Sequence, residues 1–400
     1  MASVHSSGCA SHEDTTVADN SYDSIKLSPV ETQKANSDYK PAFAGQTRIA
    51  GVKTTTPYKV EKIAQSLGNP WAVVPMTDGR LLITIKYGYM EIHTATGELV
   101  KKITGFPAVD DNGQGGLLDV ALDPDFATNK TIYWSFSEKN PPGNLTAVAK
   151  GQLNETAGII DNPIIIFRAT PALNSGAHFG SRLIFDKDGN LFVSAGERSI
   201  PEGRAQAQLL TAGLGKVFKI TPDGKAAPGN PFINQAGAMP QIYAYGIRNP
   251  QGLDINPATG ELWEVEFGPR GGDEVNIIRS GKNYGWPTIT YGIEYSGEKV
   301  GDGIQQKEGM EQPVYYWDPV VSPSGISFYK GNAIPEWENN LFIGGLSSMH
   351  IVRLVIKDNK VVGEERLLED KKERFRDVAY DNGMLYTVTD AGNLYRISKQ

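Results

Sequence analysis

Residues 187–195 read KDGNLFVSA: an Asp-Gly turn that opens directly into an apolar run. The glycine supplies the positive φ that a tight hairpin turn requires, and the run that follows has the two-residue period of a strand. The theme recurs as TDGRLLITI at 77–85, ATGELVKKI at 95–103, ATGELWEVE at 258–266, DNGMLYTVT at 381–389 and AGNLYRI at 391–397. No segment keeps a 3.6-residue pattern, except for one short helix expected around 205–211. Hairpins repeated this often point to radial repetition, in which closure protects the sheet edges. A β-sandwich is the competing all-β architecture, but it needs fewer such repeats. The expectation is an all-β fold, a six-bladed β-propeller over residues 56–400.

Bulk composition agrees. The chain has 400 residues, 44 of them Gly and 24 Pro, and 40% are hydrophobic, so it is rich in turns yet can bury a large core. A formal net charge of −7 argues against a nucleic-acid partner, whose phosphates need a basic face. No apolar run approaches the roughly 20 residues of a transmembrane helix. Residues 1–55 are dense in Ser, Thr, Asp, Asn and Lys, too polar to offset their ordering entropy by burial, and read as a disordered, flexible N-terminal tail.

The one cysteine, Cys9, excludes intrachain disulfides and Cys-based metal sites. Ser-Gly-Cys followed by a polar spacer resembles the cleavage end of a bacterial lipoprotein signal. That reading makes Cys9 a lipid anchor of the native form and residues 1–4 a scar replacing a leader; a polar terminus without meaning is the alternative.

Several chemistries have no motif here. There is no G-x-S-x-G elbow and no H-E-x-x-H. Gly215-Lys216 lacks the P-loop glycine, since Leu210 stands in its place, and the EF-hand-like start at Asp123 and Asp125 has Thr128 where Gly is needed.

Histidine is the usual general base, and five are present. His5 and His12 lie in the tail, and His93 and His350 read as strand-surface residues. His178 sits in NSGAHFGSRL, a small-residue loop just before a strand, and is either catalytic or a turn histidine. Glu197 ends the next strand run, so an antiparallel hairpin would bring it to His178, where it could orient the ring and raise its basicity; a surface glutamate is the alternative. Arg248 and Asn249, in YAYGIRNPQGL, fit neither a strand core nor a simple turn. EFGPRGGDEVNII at 266–278 exposes backbone carbonyls beside Asp273 and Glu274, the ligand types that Ca²⁺ takes.

GQGGLLDVALDPDF, HFGSRLIFD, YGIRNPQGL, FGPRGGDEVN and KNYGWP occur in this order. Together, from about residue 69 to the C-terminus, they resemble the soluble aldose sugar dehydrogenases that use pyrroloquinoline quinone (PQQ), the family that includes the soluble quinoprotein glucose dehydrogenases. The resemblance implies oxidation of the aldose C1 hydroxyl to the lactone, with His178 as base, a hydride passing to quinone C5, and Glu197 partnering the histidine where the glucose enzyme has Asp. It implies Arg248 and Asn249 beside the quinone oxygens, and Gln114, Trp317, Arg374 and Arg376 as further cofactor contacts. The Gly268 and Pro269 carbonyls would ligate Ca²⁺, and Glu274 with the Tyr284 carbonyl would form a second Ca²⁺ site. A lysine common in the family is replaced by Ser347. The implied partners are an aldose and an electron acceptor (a quinone, dye or cytochrome), in a periplasmic or secreted monomer or dimer. A Ca²⁺-dependent lactonase-type hydrolase and a non-catalytic sugar- or protein-binding propeller are the alternatives.

Overall fold

The computed structural model describes residues 26–400. It is a six-bladed β-propeller, each blade a four-stranded antiparallel sheet. Blades 1 to 5 span 70–103, 117–168, 183–245, 250–317 and 323–367, each with its first strand innermost. Blade 6 takes three strands from 375–399 and its outermost from Tyr58–Ala64, which pairs antiparallel with Leu394–Lys399. The two ends of the propeller domain are thereby tied into one sheet.

The turns carry the expected chemistry. Gly79, Gly97, Gly189, Gly260, Gly383 and Gly392 all have positive φ at hairpin turns. Behind them, interleaved apolar clusters fill the space between neighbouring blades, as around Trp134 and Phe136 between blades 1 and 2.

Three buried aspartates link the innermost strands laterally. Asp119, Asp254 and Asp377 each accept the N–H of the next residue in their own strand. Each also accepts one from the following blade: Leu183, Phe328 and Val73 respectively, at 2.8, 2.8 and 2.9 Å. The trailing halves of all six innermost strands surround one recess of about 450 Å³. Their leading ends therefore gather at the opposite mouth of the channel.

Three expectations need correction. Residues 26–55 are no loose tail: they run as an extended arm over blades 4 and 5. Asn36 and Ser37 donate to Asp318, Thr54 to Glu365, Thr55 and Thr56 to Glu336, and Arg366 reaches Glu31 at 2.9 Å. Charge-assisted hydrogen bonds fix this polar segment where apolar burial could not. Residues 1–25, including the proposed anchor Cys9, lie outside the described residues. The short helix is Pro201–Gln206, earlier than expected, with Pro201 in its first turn. His93 and His350 are buried, not on strand surfaces. Among the described residues no helix is long and apolar enough to cross a membrane.

Candidate active site

His178 lies in the loop that leads into the innermost strand of blade 3, and its φ of 55° is left-handed, uncommon for a residue with a side chain. Glu197 follows the second strand of that blade, Leu191–Ala195. The hairpin brings the two together as expected: His178 Nδ1 is hydrogen-bonded to Glu197 Oε1, with both side chains buried. Gly196 makes the approach feasible, because a Cβ there would stand 2.1 Å from the His178 carbonyl oxygen. Glu197 also accepts the Ser199 N–H at 2.7 Å and the Trp286 indole N–H at 3.2 Å.

The electrostatics set the two groups apart. Burial pushes the His178 imidazole below its ordinary value; Glu197 opposes this, and the charges of Arg248 and Arg198 reinforce it. Burial acts to raise Glu197, but the His178 contact, Arg248 and the Ser199 N–H together hold it below the usual range. A neutral imidazole therefore faces an ionised carboxylate near pH 7. Nδ1 carries the hydrogen, and Nε2 keeps a free lone pair.

Gln114 is beside the pair: its Oε1 accepts the His178 N–H at 2.9 Å. Asn249 Oδ1 accepts the Gly180 N–H at 3.1 Å, and the Arg248 carbonyl accepts the Glu197 N–H at 2.9 Å. The Arg248 guanidinium lies 5.2 Å from the Trp286 ring centroid and donates to the Gly268 carbonyl at 2.7 Å. Two polar atoms in this cluster, Arg248 Nε and Asn249 Nδ2, are buried without a partner. A buried donor left unsatisfied is costly unless a ligand completes it.

A small cavity beneath Arg248 joins Gly268, Glu274 and Tyr284 to Glu266 and Trp286. Glu264, Glu266 and Glu274 converge there on a single amide, Asn276 Nδ2, at 3.0, 3.3 and 3.1 Å. Burial pushes all three carboxyls up, Glu274 to about 7. Glu264 Oε1 and Asn276 Oδ1 are buried acceptors without a donor. This surplus of oxygen, with carboxyls that a bound cation would favour in their ionised form, suits a hard cation. Among the described residues no three acidic or histidine side chains stand in ligating geometry, so a cation here would draw on backbone carbonyls. Asp273 is used differently: it accepts the N–H groups of Gly268, Val321 and Ser322 and braces the loop.

Arg376 and Arg374 reach the same mouth from the start of blade 6 but do not touch His178. Both bind Asp390, and Arg376 Nη1 donates to Gln251 Oε1 at 3.2 Å, two residues beyond Asn249. Ser347 bonds the Ser322 hydroxyl at 2.8 Å and brings no charge. Among the described residues no hydrogen bond or ring contact joins Trp317 to His178: its indole N–H donates to Glu364 at 2.9 Å, its ring meets Tyr315 edge-on at 5.4 Å, and it sits in the apolar cluster shared by blades 4 and 5. An aromatic-rich YYWDP cannot by itself reveal which face of its strand a ring will take. Sequence reasoning missed Trp286 and Arg198, whose partners are set by loop geometry rather than spacing.

The Glucose / Sorbosone dehydrogenase profile matches residues 67–396. The chain is 41% identical over 345 residues to the aldose sugar dehydrogenase YliI of Escherichia coli, covering 85% of this chain and 92% of that one. The crystal structure of the soluble aldose sugar dehydrogenase of Escherichia coli in its apo form superposes with a TM-score of 0.81 at 40% identity, over 86% of this chain and all of that one. A PQQ-bound aldose sugar dehydrogenase from Streptomyces coelicolor gives 0.72 at 27% identity, over 86% and 99%. The strand order, the paired His and Glu and these matches agree: the chain belongs to the Glucose / Sorbosone dehydrogenase family.

Proposed function

We propose that the protein oxidises the C1 hydroxyl of aldose sugars to the corresponding lactone, with PQQ and Ca²⁺ held at the channel mouth and His178 as general base. The observation that carries this reading is the His178–Glu197 pair set beside two buried donors without partners, Arg248 Nε and Asn249 Nδ2. Those donors suit the carbonyl oxygens of a quinone. PQQ carries three carboxylates, and Arg374 and Arg376 suit them through bidentate recognition. Because both arginines share Asp390, that corner offers one net positive charge, and Ser347 adds none. The Gly268 and Pro269 carbonyls would hold one Ca²⁺, and Glu274 with the Tyr284 carbonyl a second.

When bound, PQQ supplies the acceptor for the C1 hydride, and Ca²⁺ polarises it. The chain supplies the proton chemistry. His178 Nε2 accepts the proton of the C1 hydroxyl, and Glu197 stabilises the imidazolium that forms, as a carboxylate does in other His–acid pairs. Arg248 places positive charge where negative charge develops, in a site from which water is largely excluded. Trp286 and Ser199 fix the Glu197 carboxylate and thereby the tautomer of His178. We place this activity in the periplasm or outside the cell, passing electrons to a quinone, dye or cytochrome.

The test is to incubate the full chain with PQQ and Ca²⁺ and follow dye reduction by glucose and other aldoses. Reduction should require both additions and vanish in His178→Ala. Lactone hydrolysis without PQQ would instead identify a hydrolase, and a folded but silent protein would identify a binding propeller. Because His178 must be neutral to act, activity should fall on the acid side, with a midpoint below the ordinary imidazole value near 6.5.

A further inference from the structure

Arg198 is almost completely buried, yet among the described residues no carboxylate is hydrogen-bonded to its guanidinium. All its hydrogen bonds go to neutral oxygens. Nε donates to Ala177 O at 3.1 Å, Nη1 to Asn144 O at 2.8 Å, and Nη2 to Ser175 O at 2.5 Å and to Asn144 Oδ1. The guanidinium also lies 4.0 Å from the Phe179 ring centroid. Its contacts thus fall on residues 175, 177 and 179, on both sides of His178. In return the Arg198 carbonyl accepts the Ser175 hydroxyl.

The backbone here is held against its preferences. His178, Ser181, Arg198 and Ser199 all have positive φ. Such conformations are disfavoured for residues with a side chain and persist only where surrounding contacts over-determine them. The arrangement is braced in turn from blade 2: Asn144 Nδ2 donates to Asp110 at 3.0 Å, and Asp110 also holds Asn112, two residues before Gln114. A single network therefore grips His178 through its chain neighbours and through its own N–H.

We propose that Arg198 is a positioning residue for His178: it clamps the 175–179 loop so that Nδ1 stays on Glu197 and Nε2 stays free for substrate. The inference rests on the function proposed above. A buried cation is an expensive way to hold a loop, and burial lowers the Arg198 pKa to about 10. Its retention is explained by a second effect, since its charge also disfavours protonation of the nearby imidazole. The charged groups facing His178 are Glu197, Arg248 and Arg198, and those facing Arg198 are Asp110 and Glu197.

The test compares Arg198→Met, Arg198→Lys and Asn144→Ala by two readouts: the pH profile of kcat/KM with PQQ and Ca²⁺, and the NMR titration of isotopically labelled His178 in the full chain without cofactor. Arg198→Met should lower kcat by at least about tenfold, the scale expected when a reacting group is displaced by a fraction of an ångström, with sugar KM nearly unchanged. Its acid limb and the His178 titration should both move to higher pH. Arg198→Lys, which keeps the charge but not the fork, should lose rate and keep the wild-type limb. If Arg198→Met does not fold, Arg198→Lys and Asn144→Ala decide through the rate, which should fall in both with the wild-type limb kept. A His178 titration and kcat unchanged in every folded variant would overturn the proposal even in an active enzyme. If wild type has no PQQ-dependent activity the functional reading fails, while the NMR titration still judges the clamp.

Discussion

The channel contains two buried clusters of charge, and they are built on opposite terms. In its wall, Arg182 pairs with Asp377 at 3.3 Å and Asp119 at 3.7 Å, lies 4.0 Å from the Trp71 ring centroid, and donates to the Gln251 and Arg376 carbonyls. Every carboxylate oxygen of Asp119 and Asp377 meets a backbone N–H. At the mouth, Arg248 and Asn249 keep unpaired donors, and Glu264 and Asn276 keep unpaired acceptors. A satisfied cluster needs nothing more and serves the architecture. A cluster of unsatisfied donors and acceptors offers groups that a ligand can complete.

If that contrast is right, substitutions at the two clusters should separate stability from activity. The largest expected effect is on rate: His178→Ala should lower kcat by about 10²–10⁴-fold, while its melting temperature stays close to wild type, checked by stopped-flow dye reduction and calorimetry. At the wall the reverse should hold. Asp377→Ala would strip Arg182 of its nearer partner and free the Val73 and Val378 N–H groups, at a cost of about 3–5 kcal/mol. Denaturant titration would measure it; a midpoint equal to wild type would break the comparison.

Ligand addition should sharpen the contrast from the other side. Ca²⁺ or PQQ added to the apo protein should raise the melting temperature by mass action, and Glu274→Gln should reduce the Ca²⁺ response. Asp254→Asn, in the wall, should leave that response intact, since both Asp254 oxygens are already occupied by N–H groups.

How far the sequence could be read follows the same division. The hairpins were legible because an Asp-Gly turn and its strands are local, and Gly79, Gly189 and Gly383 adopt the φ their turns demand. His178 and Glu197 were legible because one hairpin joins them. The arm at 26–55 was not, since it is anchored by Asp318, Glu336 and Glu365, some 280–310 residues away. Nor was the closing strand Tyr58–Ala64, whose partner lies at the other end of the chain. The bond from Trp317 to Glu364 was not legible either, because composition says that a ring is buried but not against what. Arg198 was invisible because three of its four acceptors are backbone carbonyls, which no residue type advertises, and the fourth is the Asn144 amide oxygen of another blade.

The smallest predicted effect is the most discriminating, because the molecule supplies its own control. Two tryptophans each donate an indole N–H to a buried glutamate: Trp286 to Glu197 at 3.2 Å, and Trp317 to Glu364 at 2.9 Å. Replacing either with Phe removes one bond to a carboxylate, worth about 1.5–3 kcal/mol. For Trp317 the loss falls on the interface of blades 4 and 5, where Tyr315 still donates to Glu364 at 2.7 Å, so Trp317→Phe should lower stability and leave kcat unchanged. For Trp286 the loss falls on Glu197, the partner of the proposed base His178. Glu197 would keep only the His178 and Ser199 contacts, its carboxylate would be less firmly fixed, and kcat should fall several-fold with little change in melting temperature. Measured side by side, equal effects of the two substitutions on kcat would mean that Glu197 is held for packing alone, and the distinction between the two clusters would fail at the residue that matters most.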